Sequence, residues 1–358
     1  MNTLNLQMFA EAGTQVTTSE GYVNAYDGTN TPFDAANTMD GALKTFYDTE
    51  LLKNAKVEMF YAQLAKRQML PKNRGKSVEW RKWNTFDKAK ELREGVIPTG
   101  QKFGMTYMTG ALSQYGTYAT VSDRLEMHAY DDVILGATEE MGSSAAETQE
   151  TLIRDALLSN ANVIYCDNIN VETGAVASTP TAPNAMEASA TVMSVLTPDM
   201  VAKTVTKLKK DRVPTFGGKY VAVIHPSVAY DLRKSKEWNE AHKYAATTEI
   251  FNGEIGELHG CRFVENVFAP ILGGDYANKA GGVTYATYFF GKDAFGIIDP
   301  DGGALEMIVK DKSQVGGPLN QFSTIGYKLE TNGATVLYPE RVVRVMSCSS
   351  YSGTDAAN

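Results

Sequence analysis

His225, Ser227 and Asp231 lie close together in the chain. An imidazole, a hydroxyl and a carboxylate are the groups of a nucleophilic relay for acyl transfer, and the end of an apolar strand is where α/β enzymes place such a histidine. Adjacency in sequence is not relay geometry, however, and no G-x-S-x-G elbow occurs. A hydrolase would require Ser227, His225 and an acid to converge in space. The plainer reading of His225-Pro226 is a strand-to-helix junction. Gly75-Lys76-Ser77 resembles the end of a phosphate-binding loop, but that pattern needs a glycine where Leu70 stands. Asp299-Pro300-Asp301-Gly302-Gly303 opens like a calcium loop, yet Gly303, Ala304 and Lys310 occupy its fifth, sixth and twelfth positions, so a tight hairpin turn is expected. Cys166, Cys261 and Cys348 are far apart and form no CxxC pair, and His128, His242 and His259 have no partner at helical spacing. The expectation is a chain with no catalytic residues, no cofactor and no metal.

Composition excludes further classes. Of 358 residues 43% are hydrophobic and 21% charged, which is globular material, and no apolar run approaches the roughly eighteen residues of a membrane helix. The opening Met1–Ala10 has neither a positive start nor a continuous apolar core, so no secretory signal is expected and the chain should remain in the cytoplasm where it is made. A net charge of −8 opposes the counterion-release attraction of nonspecific DNA binding.

Residues 1–37 carry neither helical nor strand periodicity and read as an extended arm. From Asp40 a stripe of Leu43, Tyr47, Leu51, Ala55, Met59, Ala62, Ala65 and Met69 predicts an amphipathic helix within 38–75, stopped by Pro71. Between the strands expected at Ser77–Arg81 and Thr117–Val121 lies a long stretch of weak local structure, charged near its start and rich in glycine, and so long a loop in a compact domain is expected to be functional. Its apolar residues Ile97, Phe103, Met105, Tyr107 and Met108 find no core in a lone hairpin, which predicts burial against another subunit. Glu94 is expected to pair across that boundary, and Gly95 to make a turn closed to other residues. A second stripe from Val133 to Val163 predicts a long helix over Asp131–Ile164, some 45–50 Å at about 1.5 Å per residue, lying across a sheet despite Gly142-Ser143-Ser144. After a polar stretch from Glu172 to Ala188, helices are expected at Pro198–Lys210 and Pro226–Arg233. Strands are expected at Tyr220–Ile224, Cys261–Val264, Ala286–Phe290, Leu305–Val309, Gly326–Leu329 and Arg341–Val345, with a fraying tail from Ser347 to Asn358.

The order and spacing of several segments resemble the major capsid proteins of tailed bacteriophages with the Hong Kong 97-like fold, specifically the family typified by the capsid protein of coliphage N-four. They are Leu4–Ala10, Lys76–Trp83, Leu92–Pro98, Tyr115–Tyr118 with Val121–Asp123, Tyr220–Pro226, Gly253–Glu265, Gly316–Gln321 and Gly326–Lys328. The resemblance implies an α+β fold with an N-terminal arm (1–37), an N-terminal helix (38–75), an extended loop (76–123), a peripheral domain with a long spine helix (124–189), an axial domain (190–291) and a return to the peripheral domain with a tail (292–358). It implies a structural subunit that assembles with copies of itself into pentamers and hexamers around double-stranded DNA, in the virion, after assembly in the host bacterial cytoplasm. Separate scaffolding, portal and decoration proteins are the partners it suggests, and no membrane. A host-encoded nanocompartment shell of the same fold is the alternative.

Overall fold

The computed structural model describes residues 16–17, 59–89, 91, 94–95, 97, 100–128, 133–160, 162–239, 254–301, 304–315 and 319–358. The chain divides into two compact units, each gathered from separated stretches: Met1–Glu58, Ser113–Gln149 and Pro300–Thr331 form one, and Met59–Leu112, Glu150–Asp299 and Asn332–Asn358 the other. Apart from Val16–Thr17, the arm lies outside the described residues, as does most of the helix expected within 38–75.

The first unit is built on a four-stranded sheet ordered Val16–Thr17, Ser113–Ser122, Phe322–Thr331 and Leu305–Lys310. Ser113–Ser122 and Phe322–Thr331 pair antiparallel along their whole lengths, from Ser122 opposite Phe322 to Ser113 opposite Thr331. Ile325, Tyr327 and Leu329 alternate onto one face and are buried. The long helix Val133–Leu157 covers them in the first unit. Its Val133, Ile134, Ala137 and Met141 pack on Val121, Leu125 and Ile325, and Met141 and Ala145 on Tyr327 and Leu329. Steps of three and four keep these side chains on one stripe. Gly142 does not interrupt the helix, because the packing supplies what the propensity lacks.

The helix is shorter than expected. Its 25 residues end at Leu157, and Val163 and Ile164 lie instead in the strand Val163–Tyr165, parallel to Arg344–Met346. Asn160 makes the break, its amide donating to the carbonyl of Val342 at 2.9 Å.

The second unit holds a seven-stranded sheet running Glu254–Leu258, Cys261–Glu265, Tyr220–Ile224, Thr284–Phe290, Val342–Ser347 and Val163–Tyr165, with Ile271–Leu272 paired beside Thr284–Phe290. Tyr220–Ile224 is buried at every position because both faces are covered. Ala222 and Ile224 face a core with helices Pro198–Lys210 and Pro226–Lys234. Val223, Tyr288, Phe290 and Val342 face Tyr61, Ile153, Leu157 and Phe295 on the other side. Thr197 caps the first helix by accepting from Met200 N–H at 3.4 Å, Pro198 starts it, and Lys207, Lys209 and Lys210 sit at its negative end.

Four expectations are corrected in this unit. Among the described residues of 38–75, helix is confined to the single turn Tyr61–Leu64, and Lys66–Leu70 is a strand beside Phe295–Pro300. Leu70 points into a cluster with Trp80, Ile298 and Leu337, and Met69, on the expected helical stripe, is exposed. The polar stretch from Glu172 to Ala188 is not a mere spacer, since Val176–Ser178 pairs with Asn168–Asn170, which also pairs with Val192–Met193. Residues 292–358 do not return as one piece: Pro300–Thr331 belongs to the first unit and Asn332–Asn358 to the second. The tail is docked, with Asn358 N–H donating to Ile271 O at 3.1 Å and its side chain accepting from Ile271 N–H at 2.9 Å.

Candidate functional site

Within the expected extended loop, Ser77–Trp83 and Met105–Ala111 form a two-stranded antiparallel hairpin, with Trp80 opposite Met108 and Trp83 opposite Met105. The following strand, Ser113–Ser122, is not loop but the second strand of the four-stranded sheet. Trp80 roots the hairpin: only 8% exposed, it packs with Leu70, Ile298 and Leu337. Backbone passes close over its ring, and a Cβ on Gly110 or Gly296 would come within 2.9 Å of it. The indole therefore favours glycine at Gly296, and at Gly110 it does so together with Thr335, whose hydroxyl a Cβ would meet at 2.6 Å.

Beyond the paired strands the hairpin continues as a stack of rings. Trp83 lies on Phe103 with centroids 4.3 Å apart, and Phe86 lies 5.2 Å from the same ring. Asn84 N–H donates to Gly104 O, and Asp87 and Gln101 exchange bonds at 2.8 and 3.2 Å, which carries the pairing outward. Trp83, Phe86, Phe103 and Tyr107 are each more than half exposed, and Ile97 is 94% exposed. Glu94 is exposed beside Gly95, whose φ of 77° is a left-handed turn with open space where a Cβ would stand.

Two of the expected contact residues thus have partners in their own chain. Met108 packs against the Leu70–Trp80–Ile298–Leu337 cluster and Phe103 stacks on Trp83. The premise that the loop's apolar residues find no intrachain neighbour fails for both, because the loop is half strand. Met105 is half-buried. Trp83 and Phe86 join the exposed set; their signal was two aromatics placed just before the charged run, hidden by assigning them to strand and loop. An exposed cluster of large apolar side chains is the signature of a protein contact.

The candidate relay does not assemble. His225 Nδ1 accepts from Ser227 N–H at 3.2 Å, capping the helix Pro226–Lys234. An acid does reach Ser227, but it is Asp355, accepting directly from the Ser227 hydroxyl at 3.2 Å and from Tyr285 at 2.6 Å. Asp231 binds Ser350 N–H at 2.9 Å. Burial pushes the His225 imidazole below its ordinary value, against the pull of Asp355. These groups hold the tail. Gly75-Lys76-Ser77 precedes a strand, without the helix N-terminus a phosphate would need. Asp299 pairs with Arg67 at 3.7 Å. Cys166, Cys261 and Cys348 are buried free thiols, and burial raises all three pKa values. Among the described residues no group of three or more His, Cys, Asp and Glu could hold a metal.

The structure is similar to the capsid of cyanophage P-SCSP1u, with a TM-score of 0.61 at 15% identity, covering 93% of this chain and 98% of that one. It is also similar to the capsid of Ralstonia phage GP4 (TM-score 0.60, 12% identity, 87% and 97% covered) and to that of Helicobacter pylori bacteriophage KHP30 (0.59, 11%, 89% and 99%). Among curated proteins no sequence matches. The family model described as phage capsid protein matches residues 106–345, from the outer strand of the hairpin through the long helix to the last strand of the seven-stranded sheet. With a mixed α+β, Hong Kong 97-like fold and a family match over most of its length, this chain belongs to the phage capsid proteins and is a structural subunit of a bacteriophage capsid.

Proposed function

We propose that the chain is the subunit of a closed shell, arranged in pentamers and hexamers around double-stranded DNA, and that the hairpin beyond Trp83 and Met105 is its reach onto a neighbouring copy. The observation that carries this reading is the exposed aromatic stack of Trp83, Phe86 and Phe103 with Tyr107 and Ile97. Rings around a symmetry axis need such heterologous contacts, in which a projection of one subunit enters a surface of the next. A fully buried large side chain contributes about 1.5–3 kcal/mol, so partial burial of these five supplies several kcal/mol per contact before association costs. Glu94 then pairs with a basic residue of the neighbour, and Gly95 sets the turn that presents it. A net charge of −8 suits enclosing DNA without gripping it. Assembly in the bacterial cytoplasm, with separate scaffolding, portal and decoration proteins, completes the reading.

Excising residues 88–100 and closing the gap with a short Gly-Ser linker tests this. The cut spares both strands of the hairpin and Met108, which the chain's own core uses. The variant is expected to stay soluble, melt cooperatively and sediment as monomers or capsomers where the intact chain sediments as shells. Wild-type shells from the variant would overturn the role given to the loop tip.

A further inference from the structure

Glu150 is fully buried on the long helix, at the first position of that helix belonging to the second unit. One carboxylate oxygen, Oε1, accepts from two successive backbone amides, Phe60 N–H and Tyr61 N–H, the latter at 3.1 Å. Those amides open the turn Tyr61–Leu64, directly after Met59, where the chain enters this unit. The other oxygen, Oε2, is buried with no hydrogen-bond partner among the described residues, and the Tyr61 hydroxyl is in the same condition. Half of a carboxyl is thus matched to the segment and half is left without partner. Such a group is costly to bury as an anion and much less so as an acid.

We propose that Glu150 is a proton-operated latch on Phe60–Leu64, closed when its carboxyl is neutral and loosened when it ionises.

The surrounding charges do not cancel the effect. On its own helix, Arg154 donates to Asp155 at 2.8 Å and reaches Phe268 O at 3.5 Å. From the strand Val342–Ser347, Arg344 donates to Leu158 O at 2.8 Å. Tyr61, on the latched segment, and Tyr288, on Thr284–Phe290, pack edge to face with centroids 6.2 Å apart, and burial raises both phenols, so they remain neutral at every pH considered. Burial pushes the Glu150 carboxyl up to about 7, with the amides of Tyr61 and Phe60 pulling the other way. The sign follows. A carboxyl that binds its proton more tightly when latched favours the latched state as pH falls from about 7 toward 4.5, and loses that preference as pH rises through 7. Opening lets water reach the carboxylate.

Hydrogen exchange of the intact chain, followed by mass spectrometry on a peptide covering Phe60–Leu64 and corrected for intrinsic rates, tests the latch. Protection in the wild type is expected to fall on the order of a hundredfold between pH 5 and pH 8. Glu150→Gln keeps an acceptor but cannot ionise, and should be protected at both pH values alike. Tyr61→Phe should retain the wild-type slope. Wild-type protection that does not change with pH overturns the proposal, and needs no variant to do so. So does an unchanged slope in Glu150→Gln, or a slope abolished in Tyr61→Phe, which would move the titration to the phenol.

Discussion

Tyr285 donates its hydroxyl to Asp355 at 2.6 Å, tying the middle of the seven-stranded sheet to the segment that follows its last long strand. Ser227 and Ser352 add hydroxyl donors to the same carboxylate. Asp355→Ala should therefore destabilise the second unit by about 1–3 kcal/mol, seen in calorimetry, and open Ser349–Asn358 to protease. The bonds from Ser352 and Tyr285 hold the Asp355 carboxyl below its ordinary value of 3.8. Its contribution is present above that value and lost as pH falls through the depressed one, so wild type and variant should converge in stability in strong acid. A tail equally protected in the variant would deny Asp355 this role.

Gly296→Ala should unsettle the root of the hairpin. The new methyl would meet the Trp80 ring at 2.9 Å and Leu337 at 3.3 Å, an overpacking that costs about 1–3 kcal/mol. Combining it with Trp80→Phe should cost less than the sum of the two changes, measured by denaturant unfolding. Strict additivity would mean the clash is absorbed elsewhere.

Tyr327 separates packing from hydrogen bonding beneath the long helix. Its hydroxyl meets Thr148 Oγ1 at 3.1 Å and Ser144 Oγ at 3.3 Å, and its ring packs on Ala145. Tyr327→Phe should cost about 0.5–1.5 kcal/mol and Tyr327→Ala about 3–5 kcal/mol, the larger loss being burial. Equal losses would show that the hydroxyl dominates.

Gly95→Val and Ile97→Ser separate assembly from folding. Both positions are exposed, so Ile97→Ser should leave the unassembled subunit within about 0.5 kcal/mol of wild type, and Gly95→Val should cost it only the backbone strain of about 1–2 kcal/mol. Shell yield, read by sedimentation, should drop several-fold for each: valine is strained at a φ of 77°, and serine removes the apolar tip. Full yield from both would leave the tip without a part in the contact.

The elements that the sequence made legible are those whose pattern is decided locally. Pro198–Lys210 carries its own cap, first-turn proline and terminal lysines, and Tyr220–Ile224 its unbroken apolar run. What stayed hidden depends on distant partners. Lys66–Leu70 has helix-compatible residues and is a strand because Phe295–Pro300 lies beside it, and Val163–Tyr165 leaves the helical stripe because Arg344–Met346 offers a parallel neighbour. Leu305, Met307 and Val309 stand at every second position, as on one face of a half-buried strand, yet Leu305 and Val309 are nearly half exposed at the sheet's edge. For the candidate surface, Ile97 and Gly95 were legible as a tip. The rings of Trp83 and Phe86 were not, because only the fold of the hairpin brings them onto Phe103.

The ten-residue ladder between Ser113–Ser122 and Phe322–Thr331 joins stretches separated by most of the chain. During synthesis, at roughly 5–20 residues per second, the inner strand must wait on the ribosome for a partner that emerges late. Such high contact order makes closure of this sheet slow and places it near the end of translation. The root of the hairpin is completed in the same late interval, since Trp80 packs against Ile298 and Leu337, so neither unit can close until nearly the whole chain has been made.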